Sequence, residues 1–464
     1  MTLLLPVGEV YKIFAFCGAL YYGGLAFDLI GCPALVGEIV VGMLLGPDVA
    51  NIFSSELVVA LMVAGQAGLC LMVLEGGICM DAAVLREKGV RAVVLAATGT
   101  VLPVILGWAT MLAMGHESMT ALASGIALSS TAIGFTMRMM TDMNLLDTAE
   151  GQLITAAAMI DDVFSLILLA MLTVVQDDAL TSSANSSVAN APAVADVDAA
   201  ARAWTVCRPL LASGVVTILG FGAFRIVHSS SGAVGRAVDR ASPRVRATLL
   251  ARQDETMLLI LLGGGTLAAW LSEGLFSTLL LGAFTVGAIF CTQPLARAAW
   301  LHVAPIQAWA ARCFFGASVG FAVPVRDLLD GANFAPGLLL TVAAILGKWL
   351  SGAWGTSLYH NGTCGGKVYW GTFMRVGCAM IGRGELGFQL ATSARASGIL
   401  TPEAYSATIW ALLLATLLGP YAFKLSMRFT PCGLEPGAGK PKAKEGEGSS
   451  TTAIAIEHVP APVL

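Results

Sequence analysis

Over most of its length, the chain is a series of apolar blocks, each about as long as a bilayer is thick. The block at 90–114 is one of them. A helix crossing the hydrocarbon core needs ~20 apolar residues, so 464 residues have room for a dozen or so spans with their connectors. The composition agrees, with 56% hydrophobic and 12% charged residues. Soluble domains carry about 25% charged residues. A disordered chain would need low hydrophobicity and high charge. A membrane β-barrel would need strands that alternate apolar and polar residues. The chain therefore reads as an all-α polytopic membrane protein.

About thirteen transmembrane helices are expected. They lie over 7–27, 33–53, 57–80, 90–114, 119–141, 152–175, 204–227, 255–272, 275–291, 312–325, 336–358, 369–397 and 403–427. The first block is long enough to span and no cleavage pattern follows it, so it reads as a span and not a leader. Residues 1–431 form the transmembrane domain. Within it, 176–203, rich in Ser, Ala, Asn and Asp, reads as an outer loop, and 228–254 as a basic cytoplasmic loop. Residues 432–464, rich in Gly, Pro, Lys and Ser, read as a disordered cytoplasmic tail, too short for a regulatory domain. Lys and Arg mark the cytoplasmic side. Arg86, Lys88, Arg91, Arg236, Arg240, Arg244, Arg246, Arg252, Arg297, Lys367, Lys424 and Arg428 all fall on one side, which puts the C-terminus in the cytoplasm. The other side has little beyond Arg202, Arg326 and Arg395, and its longest loop carries Asp177, Asp178, Asp196 and Asp198.

An ionisable residue in mid-span costs roughly 2.5–3.5 kcal/mol and by default marks function. Asp161 and Asp162 sit together near the middle of an otherwise apolar span. Adjacent helix positions point about 100° apart, so the two carboxylates need not share a role. Lys348 lies well inside another span, where snorkelling is difficult and a carboxylate partner is expected. Arg383 and Glu385, flanked by Gly382 and Gly384, suggest a locally bent helix. They fit a polar interior or an internal ion pair bracing two helices. Ser129, Ser130 and Thr131 cluster inside a span. A helix broken there would free oxygens for a hard cation, whereas an intact one would merely back-bond its hydroxyls. Glu38 and Glu75 lie in or near spans without a role the residues settle.

Other chemistry finds no support. A net charge of −4 suggests no nucleic-acid surface. The ten Cys lie in apolar segments without CxxC pairs or metal spacing and read as small buried hydrophobes. There is no phosphate loop, nucleophile elbow or zinc-type His pair, so no catalytic residues and no cofactor are expected, and the chain does not read as an enzyme.

Several segments, taken in order, resemble a known family. They are Pro33-Ala34-Leu35-Val36-Gly37-Glu38 with Gly42-Met43-Leu44-Leu45-Gly46-Pro47, then Leu74-Glu75-Gly76-Gly77 with Asp81. Leu128–Ile133 and Ile160-Asp161-Asp162 follow, then Gly274–Ala283, Phe314–Gly320, Gly347-Lys348 and Arg383-Gly384-Glu385. Over roughly residues 30–425, their order and spacing resemble the second family of monovalent cation:proton antiporters, a sodium/proton exchanger domain. The resemblance implies inverted repeats, a core domain and a dimerisation domain in a homodimer, and two broken helices crossing near the membrane centre. The first crossing would be at Ser129–Thr131 and its partner near Phe315–Gly320. Asp162 would bind the cation, Asp161 would pair with Lys348, and Ser130 and Thr131 would help complete the ion's shell. The Asp-Asp form resembles the electrogenic branch, and Asp161 stands where potassium-efflux relatives often carry Gln. Leu74-Glu75-Gly76-Gly77 departs from the family's usual order, which leaves the role of Glu75 open.

The chemistry of the residues agrees. A carboxylate in a narrow aqueous cavity holds either a proton or a hard cation. If only loaded forms cross, that competition gives obligatory exchange. The expected transported ions are protons and sodium, with potassium or lithium as alternatives; a potassium/proton exchanger of the same fold is the nearest rival. A gated cation channel would need a continuous pore, and no filter-like repeat is present. An intramembrane hydrolase would need its two aspartates on different helices.

Overall fold

The computed structural model describes residues 7–132, 148–186, 211–229, 252–275, 277–325, 331–355 and 367–429, with residues 136, 140, 143, 145 and 208. The expected tail, most of the basic loop, the outer loop beyond Ser186 and most of 133–147 lie outside these.

Local chemistry explains most helix boundaries. Helix α1 (Val7–Ile30) ends at Gly31, whose φ of +86° suits glycine, and Pro33 introduces α2 (Ala34–Leu45). Ser54 caps α3 (Ser55–Ile78) by accepting from Leu57 N at 3.4 Å. Helix α4 (Ala82–Ala113) continues through Pro103, and α5 (Ser118–Ala127) is only ten residues long. Helix α6 (Ala149–Ser186) carries Asp161 and Asp162 and runs eleven residues beyond the expected span end at 175, into the sequence read as loop. Next come α7 (Leu211–Ser229), α8 (Gln253–Gly274) and α9 (Leu279–Ile289), the last capped by Thr278. A 120° bend separates α9 from α10 (Pro294–Leu301). Helix α11 (Ala304–Cys313) passes into a π-helical turn, Phe314–Val319, and a 3-10 turn, Gly320–Ala322. The chain closes with α12 (Gly331–Ser351), α13 (Lys367–Ala379), α14 (Glu385–Ala396) and α15 (Pro402–Phe429).

Among the described residues, eight helices are long and apolar enough to cross a membrane, nine if α9 and α10 form one bent span. Where the other expected spans lie, the described residues form shorter or interrupted helices. One interruption is at Leu128–Ala132 after α5, with helical geometry again at Thr136. The other is at Met380–Gly384, between α13 and α14, where 369–397 reads as one span in the sequence.

The helices pack as two sets. Helices α4, α5, α6 and α12–α15 pack densely on one another, as do α1–α3 and α8–α11. The second set contains backbone-to-backbone contacts. A Cβ on Gly42 of α2 would collide with the backbone of Gly316, and one on Gly320 would lie 2.8 Å from Gly42 Cα. Phe315–Gly320 is therefore a continuous, buried helical turn wedged against α2, not a broken crossing. Its glycine serves close approach. The sets meet at fewer places, among them Tyr421 Oη, which donates to Ile30 O at 3.4 Å, and a bond between Gln66 and Gln389.

Candidate functional site: a buried charge cluster at two helix breaks

Breaking a helix inside a bilayer strands backbone groups, each costing several kcal/mol if left unpaired. Here the two breaks satisfy one another. Ala132 N donates to Gly382 O at 3.0 Å, directly linking them. Arg383 donates to Ala344 O at 2.5 Å and, more weakly, to Ser130 O at 3.4 Å. Thr416 Oγ1 donates to Arg383 O at 3.2 Å, and Thr136 Oγ1 to Ala379 O at 3.3 Å. Glycine permits the approach: a Cβ on Gly384 would lie 2.9 Å from both Ala132 Cα and Thr131 O.

Lys348 and Asp161 face this junction and are both fully buried. Lys348 Nζ donates to Asp161 Oδ2 at 2.9 Å and to Thr131 Oγ1 at 2.7 Å. Thr100 Oγ1, on α4, donates to the other carboxylate oxygen, Oδ1, at 2.6 Å. The lysine reaches this depth because Gly347 lets α12 touch α4: a Cβ there would lie 2.7 Å from Pro103 N and 2.8 Å from Pro103 Cα. Both oxygens of Asp161 are thus engaged, as a buried ion pair requires.

Asp162 is also buried, at 9% exposure, with Glu385, Asp161 and Lys348 as its electrostatic neighbours. Ser130 Oγ is buried with no hydrogen-bond partner among the described residues. A buried hydroxyl without a partner is an unused oxygen ligand. The structure thus brings Ser130, Thr131, Asp161, Asp162, Lys348 and Arg383 to one junction, with Glu385 starting the next helix.

Arg383 and Glu385 do not form the ion pair the sequence suggested as one reading; none joins them among the described residues. Arg383 is fully buried and turns to Ala344 O inside α12 and to Ser130 O at the first break, while Gly384, extended at φ −108° and ψ −177°, separates it from α14. Thr100 was missed by sequence reasoning, since a threonine in an apolar helix carries no signal. So were the partners in two further pairs. Glu38 meets Arg312 at 3.4 Å, with the guanidinium stacked on Tyr21 and Trp309. Glu150, at the start of α6, binds Arg375 at 2.6 Å and accepts from Thr372 at 2.6 Å.

Comparison with known proteins points the same way. Residues 13–426 match the family described as sodium/hydrogen exchanger, transmembrane. The chain is 23% identical to a Na(+)/H(+) antiporter of Enterococcus hirae, over 85% of this chain and 91% of that protein. It is 23% identical to the Na(+)/H(+)-K(+) antiporter GerN of Bacillus cereus, over 86% of this chain and 92% of that one. Cation/H(+) antiporter 15 of Arabidopsis thaliana is 32% identical, but the match covers 33% of this chain and 20% of that longer protein. Among solved structures, the sodium proton antiporter MjNhaP1 of Methanocaldococcus jannaschii shares the fold, with a TM-score of 0.60 and 15% identity over 91% of this chain and all of that one. The chain belongs to the sodium/hydrogen exchanger family and is a secondary active antiporter of monovalent cations and protons.

Proposed function

We propose that the chain exchanges sodium for protons by alternating access, with Asp162 as the group that holds either ion. The observation that carries this reading is the fully buried Lys348–Asp161 pair at the junction of two helix breaks, with Asp162 next to it. In this cycle Asp162 takes a proton on one side and exchanges it for a dehydrated cation on the other. Ser130 Oγ is free to ligate that cation. Thr131 Oγ1 joins once Lys348 releases it, and Asp161 is freed at the same step. If Lys348 loses its proton then, more than one proton moves per cation and transport is electrogenic.

The same reading takes the two interrupted helices as the crossing elements of inverted repeats in a thirteen-span fold. The set containing α6 and α12 is the moving core. The set containing α1–α3 and α8–α11 is the dimerisation domain of a homodimer, and the C-terminus is cytoplasmic. Potassium is a second candidate ion, favoured by the potassium in the name of the Bacillus cereus relative.

The test is proton release from proteoliposomes on addition of sodium, potassium or lithium. Sodium is expected to drive it, and Asp162→Asn to abolish it while the protein still assembles. Substantial cation-driven proton flux in Asp162→Asn would remove Asp162 from the site. Downhill cation flux without proton movement in the wild type would favour a channel.

A further inference from the structure

Helix α14 has two faces. Leu386, Phe388, Leu390, Ala391 and Ala394 are buried, whereas Glu385, Gln389 and Ser393 recur at every fourth residue and stay half-buried. That spacing makes a single polar stripe on a helix. It starts at the helix break, since Gly384 is packed on Ala132, and reaches Ser393 about 12 Å further along the helix. Side-chain amides at this depth need a partner or water, because lipid offers neither.

Gln389 has a partner from the other helix set. Gln66 Nε2, on α3, donates to Gln389 Oε1 at 3.3 Å, and Gln389 Nε2 donates to Ser393 Oγ at 3.2 Å. Gln66 is mid-span yet exposed. Its neighbours Gly65 and Gly68 seat α3 against Phe314 and Ala310, within its own set. Gln66 is thus presented away from that contact and toward α14. The bond spans the boundary between sets, next to the cluster and on the side where α14 ends.

We propose that the stripe Glu385–Gln389–Ser393 lines the passage between Asp162 and the membrane face at which α14 ends, and that the Gln66–Gln389 bond closes this passage. By the charge asymmetry of the loops, that face is the outer one. The inference rests on the alternating-access reading. It adds that relative movement of the two sets must break this bond once per cycle, and that ions leaving outward pass these amides.

Two measurements test it. In right-side-out and inside-out vesicles, Gln389→Cys and Ser393→Cys are to be treated with a membrane-impermeant thiol reagent during sodium-driven exchange. Treated wild type, with its ten native cysteines, serves as the control. Both variants should lose at least tenfold of their own untreated rate when treated from the outer side, and neither from the inner side. Inhibition only from the inner side, or no effect from either side, overturns the proposal. Second, an oxidant that joins the two thiols of the Gln66→Cys, Gln389→Cys double variant as a disulfide should stop exchange at least tenfold, reversibly on reduction. Each single variant treated alike should not be stopped. A cross-linked double variant exchanging at its uncross-linked rate overturns the gate. Either negative result leaves wild-type exchange as measured, so failure of the passage differs from failure of the antiport reading.

Discussion

Replacing Lys348 by Gln removes one partner of an ion pair with no exposure on either side and an N–O distance of 2.9 Å. At that separation the gross attraction is roughly 6 kcal/mol for an effective dielectric constant of about 20. Most of it only offsets the cost of burying the charges. The loss of one partner is therefore better judged by the charge left behind, about 3–5 kcal/mol for a broken buried pair. Thr100 still holds Oδ1 of Asp161, but Oδ2 loses its cation and Thr131 loses a donor. At 1.4 kcal/mol per tenfold, the ratio of folded to unfolded protein should fall by about two to three and a half orders of magnitude. The readout is the midpoint of heat-induced loss of the monodisperse peak in detergent, measured beside sodium-driven exchange. Adding Asp161→Asn removes the stranded charge, and this double variant should regain most of the lost stability, because two amides can face one another without net charge. Transport in the double variant should become indifferent to an imposed membrane potential, provided Asp162 still exchanges ions. A double variant no more stable than Lys348→Gln alone would refute the reasoning. So would wild-type exchange that ignores the potential.

Further outcomes can be checked with the same preparations. Gly384→Ala should reduce exchange at least tenfold and cost about 1–3 kcal/mol, since the new methyl meets the backbone of Thr131 and Ala132; Gly263→Ala, with open space around it, should do neither in the same exchange and thermal assays. Arg375→Ala should lower stability by about 1.5–3 kcal/mol through the loss of charge-assisted bonds to Glu150, and Arg375→Lys should recover part of it. In intact cells treated with an impermeant reagent, cysteines near Asp196 should be labelled and those placed within Arg236–Arg252 should not, until the membrane is permeabilised; the reverse pattern would invert the orientation.

Charges embedded in apolar sequence made the centre of the site legible. Asp161, Asp162 and Lys348 stand out because no other charged residue lies within ten positions of them, and solvation cost makes such residues hard to explain otherwise. Thr100 left no trace. Its hydroxyl also lies 2.9 Å from Ala96 O, the ordinary position of a threonine in a helix, and only the fold brings Asp161 into reach. Gly316 and Gly320 show the limit of reading glycine. Glycine marks either a bend or a close contact, and the sequence does not say which. Here they serve contact with α2, while the break that pairs with Ser129–Thr131 falls at Gly382–Gly384, where the sequence hinted only at a bend. Pairs such as Glu38–Arg312 and Glu150–Arg375 were invisible because their members lie hundreds of residues apart.

Arg383 has an electrical consequence. A guanidinium stays protonated at any pH a cell meets, so the junction carries one positive charge that no step of the cycle can remove. With Lys348 protonated and both aspartates ionised, Arg383, Lys348, Asp161 and Asp162 together are neutral. Protonating Asp162 leaves them with one net positive charge. If Lys348 gives up its proton as a cation binds at Asp162, the cation-loaded junction is neutral again. Glu385 adds a constant to every state as long as its own protonation does not change. The membrane field, about 2.3 kcal/mol per charge per 100 mV, therefore distinguishes the two loaded crossings by one charge. Voltage would change the speed of one crossing relative to the other, and the fixed charges, Arg383 together with Glu385 in whichever state it keeps, decide which of the two carries the net charge.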